Sequence, residues 1–159
     1  MTESTPGPAP LAKLSGLELL QLRLIESDDR PPSIGQLIGM TMTRIELGGA
    51  EFSLVTQPSF SNPLGTVHGG ITATILDSAM GCAVHSTLGP GDWYTTLELK
   101  VNYIRATQTN GERLIATGNT IHVGRTTATA EGQVRNEAGK LVAHGTTTCI
   151  IRRADGRPT

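Results

Sequence analysis

The spacing of apolar residues along the chain predicts two helices. Leucine recurs through residues 15–26, and Ser15 and Glu18 have the spacing of a capping box, which indicates that a first helix begins here. A second helix is expected over about 69–86, where apolar residues recur at spacings of four and three. The residues that share this stripe are Ile71, Ile75, Ala79 and Cys82.

Alternating apolar and polar positions predict six strands. The expected strands are 39–47, 50–57, 95–104, 112–123, 126–136 and 140–152. Gly48-Gly49 marks a hairpin between the first two strands, and the short connections between the later strands imply antiparallel neighbours. The order of helix, two strands, central helix and four strands predicts an α+β domain whose single sheet has one helix to fill its concave face.

The third strand is expected to present one apolar face. Leu97, Leu99, Val101 and Tyr103 share that face by simple alternation. Thr96 then falls on the opposite, polar face, so it reaches a site over the helix only through a bend in the strand or through a second copy of the chain.

Length and composition indicate one domain with terminal extensions. The 159 residues, with a mass of 16.8 kDa, suit a single core. The expected parts are a disordered tail at 1–12, an N-terminal helix and linker at 13–37, a core domain at 38–152 and a C-terminal tail at 153–159.

Charge and hydropathy exclude several classes of partner. The 13 Lys and Arg residues nearly balance the 14 Asp and Glu residues, so no field is available to hold a nucleic-acid backbone. No apolar run is long enough for a membrane span, and the N-terminus lacks a secretory signal, so we expect a cytoplasmic protein. Cys82 and Cys149 lack metal-site spacing and are expected to fill the core, and no histidine has metal-ligand spacing.

Two features between Asn62 and Asp77 point to chemistry. Gly69-Gly70 opens the second helix, although glycine costs about 1 kcal/mol relative to alanine inside a helix. Either bare N–H groups at the helix start receive a ligand carbonyl or anion, or the helix packs closely against a strand. Asp77 lies among apolar residues, where a buried carboxylate is costly unless it is paired or used; the alternative is an Asp that faces solvent or is hydrogen-bonded locally.

The spacing of these two features predicts a site shared between subunits. Gly69 and Asp77 are eight residues apart, which is about 12 Å along a helix and roughly 80° around it. A carbonyl bound at Gly69 is therefore far from Asp77 of the same chain, and a two-fold dimer with antiparallel helices would supply a second Asp77. His68, next to the glycines, either caps the helix or donates to a substrate carbonyl. No nucleotide-binding or serine-hydrolase motif is present.

Several segments together resemble one enzyme family. These segments are 62–70 with Asp77, 95–103, 123–126 and 139–145. They are similar to the hotdog-fold acyl-CoA thioesterases of the phenylacetic-acid-degradation (PaaI-like) type, and the resemblance covers about residues 38–151. It implies an antiparallel sheet of about six strands wrapped round one long helix, assembled as homodimers or as dimers of dimers.

The resemblance also implies roles for particular residues. The N–H of Gly69 would bind the thioester carbonyl, and Asp77 of the partner subunit would act as general base or nucleophile. Asn62 would hold the carbonyl or the water, His68 would support the loop, and the Thr96 hydroxyl would orient the attacking water.

Three further residues are implied in substrate binding, and no cofactor or metal is implied. Gly70 lies beside the bound carbonyl, and Gly81 leaves one turn of the helix without a side chain, which would widen an acyl pocket. Arg125 is a candidate for the CoA phosphates.

The sequence therefore predicts an acyl-CoA thioesterase and leaves its acyl group open between aromatic, medium-chain and 3-hydroxy or 3-oxo groups. The alternative is an acyl-CoA-binding module without turnover, which would not need a carboxylate such as Asp77 at the reacting carbon. A hydratase of the same fold is disfavoured because Asp77 and His85 do not have the spacing of that motif.

Overall fold

The computed structural model describes residues 11–25 and 32–154. Its helices are α1 (Gly16–Ile25), α2 (Ile34–Ile38) and α3 (Gly69–His85), with a short 3-10 turn at Leu11–Lys13. Its strands are β1 (Thr41–Glu46), β2 (Gly49–Val55), β3 (Trp93–Tyr103), β4 (Arg113–Val123), β5 (Thr127–Asn136) and β6 (Leu141–Arg152). Both predicted helices and all six predicted strands are present.

The strands form one antiparallel sheet in the order β1-β2-β4-β5-β6-β3. Helix α3 packs across the concave face of this sheet, which confirms the α+β hotdog architecture. The fully buried residues of α3 are Ile75, Leu76, Ala79, Met80, Ala83 and Val84. The buried face is therefore wider than the predicted stripe, and Ile71 and Cys82 lie half-buried at its borders.

A row of glycines lets α3 lie close to the sheet. Gly118 of β4 pairs with Gly132 of β5, which pairs with Gly145 of β6. A Cβ atom at Gly118 would lie 2.5 Å from the backbone of Ala79, and one at Gly132 would lie 2.9 Å from Met80 Cγ. Any side chain in this row would push the helix outward, so the glycines set the distance between the two layers.

The first helix is capped and docked as a unit. Ser15 N donates to Glu18 Oε2 at 2.7 Å and Glu18 N donates to Ser15 Oγ at 3.3 Å, which confirms the capping box. Gly16 N donates to Leu88 O, so α1 begins at the carboxyl end of α3. The segment expected to be a linker contains the additional short helix α2, which Ser33 caps at its start.

Strand β3 contains a bulge that the sequence did not predict. Thr96 pairs with Cys149 and Glu98 pairs with Thr148, so Leu97 is an extra residue without a partner of its own. Leu97 is 60% exposed, whereas Leu99 and Val101 pack on the core. The prediction that Leu97 shares their face is therefore wrong, because the extra residue reverses the alternation at that point.

The ends of the predicted tails fall partly outside the described residues. Of the tail predicted at 1–12, only residues 11 and 12 are described, and they lie in the 3-10 turn. Of the tail predicted at 153–159, Arg153 and Ala154 are described. Arg153 Nη1 donates to Asp92 Oδ2 at 2.7 Å and Ala154 N donates to Asp92 Oδ1 at 2.9 Å, so both residues are anchored.

Candidate active site

The loop before α3 is held by Asn62. Its Oδ1 accepts from the N–H groups of Leu64 and Thr66, at 2.9 and 3.2 Å, and its Nδ2 donates to Thr66 Oγ1 at 3.0 Å. This arrangement is an Asx-type turn in which the side chain replaces backbone partners. One of the two amide hydrogens of Asn62 is used in the loop, and the second has no acceptor among the described residues.

The start of α3 combines a cap with a bare N–H group. His68 is the N-cap, and its Nδ1 accepts from Gly70 N at 2.9 Å. Gly70 therefore donates to the cap. Gly69 N has no acceptor among residues 11–25 and 32–154. The Gly69 N–H is thus available to a ligand at the positive end of the helix.

Tyr103 packs directly on Gly69. A Cβ atom at Gly69 would lie 3.0 Å from Tyr103 Cζ, and the Tyr103 hydroxyl donates to Gly69 O at 2.9 Å. Close packing, one of the two explanations offered for this glycine, is therefore confirmed, and binding of a ligand by its N–H stays a prediction. The contact with Tyr103 carried no signal in the sequence, because nothing local links residues 34 positions apart.

Asp77 accepts a hydrogen bond from Thr96 of the same chain. Thr96 Oγ1 donates to Asp77 Oδ1 at 3.0 Å, and both side chains are half-buried. The bulge at Leu97 makes this possible, because it turns Thr96 toward α3. The expectation that Thr96 falls on the polar face of its strand is wrong for that reason.

The four polar groups fall into two sets that line different cavities. Asn62 and Gly69 line a cavity of about 360 Å³ beside Tyr103. Asp77 and Thr96 line another cavity, of about 420 Å³, beside Trp93 and the edge strand β3. Within one chain the carboxylate and the bare N–H are therefore not brought together.

Tyr94 separates the second cavity from a third. Asp77 and Tyr94 line both the 420 Å³ cavity and one of about 520 Å³ that extends beneath α1. Gly81 provides the space for this ring: a Cβ atom there would lie 2.5 Å from the Tyr94 hydroxyl. The space left by the missing side chain is thus filled by Tyr94. Burial raises the pKa of Tyr94, so its hydroxyl stays protonated at neutral pH.

Burial favours the neutral forms of two further side chains of α3, Cys82 and His85. Burial raises the pKa of the Cys82 thiol to about 11; Asp77 acts in the same direction and Arg23 in the opposite one. Burial also lowers the pKa of His85, which packs edge-on against Tyr94 with ring centroids 5.6 Å apart. Cys82 and Cys149 are free thiols. The structure therefore gives Cys82 no thiolate character.

Arg125 lies apart from these groups. It occupies the turn between β4 and β5, is exposed, and lines none of the three cavities that contain Asn62, Gly69 or Asp77. In the part of the chain that the structure describes, no group of three His, Cys, Asp or Glu side chains could hold a metal ion. No helix in the same residues is long and apolar enough to cross a membrane.

A six-stranded antiparallel sheet wrapped round one long central helix defines the hotdog fold. The sequence model of the Thioesterase superfamily matches residues 64–143, which is half of the chain. The chain belongs to the thioesterase superfamily, and it is a hydrolase of that class. The resemblance drawn from the motifs is thereby confirmed.

Named relatives agree with this assignment. The chain is 24% identical to 1,4-dihydroxy-2-naphthoyl-CoA hydrolase of Listeria monocytogenes over 118 residues, 74% of this chain and 94% of that protein. It is 34% identical to acyl-coenzyme A thioesterase 13 of Mus musculus over 88 residues, 54% of this chain and 60% of that protein. A phenylacetic acid degradation-related protein of Ralstonia eutropha superposes with a TM-score of 0.72 at 28% identity, covering 81% of this chain and 97% of that one.

Proposed function

We propose that the chain is a homodimeric acyl-CoA thioesterase whose site combines residues of two subunits. The observation that carries this proposal is that the bare N–H of Gly69 and the carboxylate of Asp77 line different cavities of one chain. A thioester must meet both groups at once, and an antiparallel second copy supplies the missing one.

The first half of the site stabilises the oxyanion. Gly69 N–H lies at the positive end of α3 and has no acceptor among the described residues, so it can donate to a thioester oxygen. The second amide hydrogen of Asn62 is a further donor on the same cavity wall. The His68 cap keeps the helix start rigid, which spares reorganisation when the negative charge develops.

The second half of the site supplies the carboxylate. Thr96 holds Oδ1 of Asp77, so Oδ2 is left to act on the substrate. As a general base, Asp77 of the partner subunit takes a proton from water while the water oxygen bonds to the carbonyl carbon. The tetrahedral oxyanion then collapses, the C–S bond breaks, and the proton passes to the departing CoA thiolate. As a nucleophile, Asp77 Oδ2 would instead bond to the carbonyl carbon while the C–S bond breaks and the CoA thiolate leaves. Water would then hydrolyse the acyl–aspartyl anhydride to the free acid and the regenerated carboxylate, and a proton released from that water would pass to the thiolate.

The edge of the sheet supports pairing of two chains. Strand β3 has 11 residues and lies at the edge of the sheet, with β6 on its other side. It carries the exposed apolar side chains Trp93 and Leu97, at 56% and 60% exposure. A long edge with exposed apolar residues is a template for another strand, and pairing there would bring a partner to the cavity that contains Asp77. A dimer of dimers is compatible with the same pairing.

Turnover is tested first by titrating the CoA thiol released from phenylacetyl-, benzoyl-, octanoyl- and palmitoyl-CoA. We expect the Asp77→Ala variant to remain dimeric and to lose at least about 10²-fold in kcat. Binding of acyl-CoA without release by the wild-type protein would identify a binding module instead. Equal turnover by the variant would contradict the role of Asp77.

Mixing two inactive variants tests the shared site. Asp77→Ala and Asn62→Ala subunits are unfolded, mixed and refolded, so that about half of the dimers contain one of each. Each mixed dimer has one site with an intact loop and an intact Asp77, and we expect about a quarter of the wild-type activity to return. No recovery in dimers whose mixed composition is verified by mass spectrometry would place both residues of one site in the same chain.

A further inference from the structure

The largest of the three cavities that contain site residues is closed by the N-terminal part of the chain. Helices α1 and α2 and strands β1 and β2 contribute most of the wall of this 520 Å³ cavity. The remainder comes from helix α3 with Asp77, from Tyr94, and from Ser33, Gly39 and Met40, which flank α2. All of the contributing residues of α1, α2, β1 and β2 precede residue 64, where the match to the thioesterase superfamily begins.

The polarity of the wall changes with depth. The buried and half-buried members include Leu20, Met40, Met42 and Phe52, which leave an apolar interior. The exposed members include Arg23, Ser33 and Thr41, which lie at the mouth, and α3 adds the half-buried polar side chains of Asp77 and Ser78 at one wall. An apolar interior with a polar rim suits a ligand that is apolar over most of its length.

We propose that this cavity binds the acyl chain and that its substrates are medium-chain aliphatic acyl-CoA thioesters. The proposal rests on the proposed thioesterase function, because it places the thioester carbon at Asp77. The carboxylate can be approached from both sides of Tyr94: from the β3 edge on one side and from beneath α1 on the other. The CoA part then lies on the β3 side, where a partner would supply Gly69, and the acyl chain lies beneath α1.

Size and wall chemistry favour an alkyl chain over an aromatic group. At roughly 30 Å³ for each heavy atom, the share of a water molecule in the liquid, the cavity holds on the order of 15 heavy atoms. A decanoyl to dodecanoyl group fills most of that volume, whereas an octanoyl group and a phenylacetyl group, which have the same number of heavy atoms, leave a larger part unfilled. Met40 and Met42 are flexible side chains that adapt to a flexible chain.

Binding of S-alkyl-CoA thioethers, which cannot be hydrolysed, tests the cavity directly. Calorimetry with butyl-, hexyl- and octyl-CoA should show the Kd tightening by about threefold to fourfold for each added methylene. Met42→Trp fills the interior, so this variant should bind butyl-CoA as the wild type does and gain nothing from longer chains. Leu24→Trp narrows the cavity from α1 and should likewise remove the gain in affinity with longer chains. Because Leu24 is 40% exposed, this substitution does not disturb the packing of the core.

Gln21→Trp is the matched control, because Gln21 is exposed on α1 and does not line the cavity. It should follow the wild type at every chain length. An affinity of the wild type that is independent of chain length would overturn the proposal, as would tryptophan variants that match the control. Chain-length-dependent binding without CoA release from the matching thioesters would leave this cavity assignment standing and refute the thioesterase function. CoA release by a protein whose binding does not depend on chain length would support the thioesterase function and refute the assignment of this cavity to the acyl chain.

Discussion

Thr96 Oγ1 donates to Asp77 Oδ1 across 3.0 Å, joining the edge strand β3 to the middle of α3. This bond fixes the orientation of a half-buried carboxylate and leaves its second oxygen available. Hydrogen bonds to charged groups contribute about 1.5–3 kcal/mol, which is enough for the loss of this one to be measurable in a rate.

We expect Thr96→Val to lower kcat by about tenfold to a hundredfold, because the carboxylate is no longer held in position. Thr96→Ser retains the hydroxyl and should keep most of the activity. The measurement is kcat for one acyl-CoA, with the melting temperature recorded for each variant. A valine variant as active as the serine variant would show that Asp77 needs no such support.

Proline at position 69 removes the N–H group while respecting the backbone. It is favoured at the first position of a helix, and His68 has φ −61° and ψ 133°, an extended conformation that suits a residue before proline. We expect Gly69→Pro to fold and to lose at least about 10²-fold in kcat with the oxyanion donor. Gly69→Ala keeps the N–H and brings the same Cβ toward Tyr103, so it is the matched control. Similar kcat values for the two variants would show that the Gly69 N–H does not stabilise the oxyanion.

A charge on the edge strand should separate the subunits. Leu97→Asp places a carboxylate at the exposed bulge of β3, where it would oppose pairing with a second strand. We expect light scattering to show a monomer and CoA release to be lost together with the dimer. Leu47→Asp, at a site 71% exposed in the β1–β2 turn, should change neither. Full activity of a monomeric variant would contradict a site shared between subunits.

Asp92 should make the fold sensitive to acid. Burial alone would raise the pKa of its carboxyl, but hydrogen bonds from Ala154 N, Arg153 and Gly89 N, together with the Arg153 charge, lower it overall. Because the folded-state pKa lies below the unfolded value of 3.8, the stabilisation is complete at neutral pH and is lost as the pH falls through the folded-state value.

Asp92→Asn should therefore cost about 1–3 kcal/mol of unfolding free energy at neutral pH. The difference from wild type should narrow as the pH drops below about 4. Urea unfolding of both proteins from neutral pH to below about pH 4 measures this difference in unfolding free energy. Glu46→Gln is the control, because the pair of Glu46 with Arg44 is 56% exposed on each side and contributes little. A difference that is independent of pH would contradict the assigned cause.

Local patterns were sufficient to predict the helices and strands and the residue at which the central helix begins. The capping box of Ser15 and Glu18 forms as predicted, and the central helix begins at Gly69 as expected. These features depend on residues a few positions apart, so the sequence displays them directly. The distance between Gly69 and Asp77 also followed from helix geometry, which is independent of the rest of the fold.

Contacts between distant segments could not be predicted in this way. The contacts of Tyr103 with Gly69 and of Tyr94 with Gly81 join strand β3 to the helix, and neither aromatic residue has a local signal. The row formed by Gly118, Gly132 and Gly145 depends on the register of three strands, which hydrophobic alternation does not specify. The cavity beneath α1 depends in addition on where a separate helix docks.

The extra residue at Leu97 reverses the alternation of side chains along β3. Before it, even-numbered positions such as Tyr94 and Thr96 face the helix; after it, odd-numbered positions such as Leu99 and Val101 do. Deleting one residue between Thr96 and Leu99 would remove the bulge without turning either side chain outward, because the hydroxyl and the leucine would then lie two positions apart, as on one face of a regular strand. A comparison of related chains must therefore count the hydroxyl position from the start of the strand, and a gap placed one residue away assigns the wrong side chain to the carboxylate.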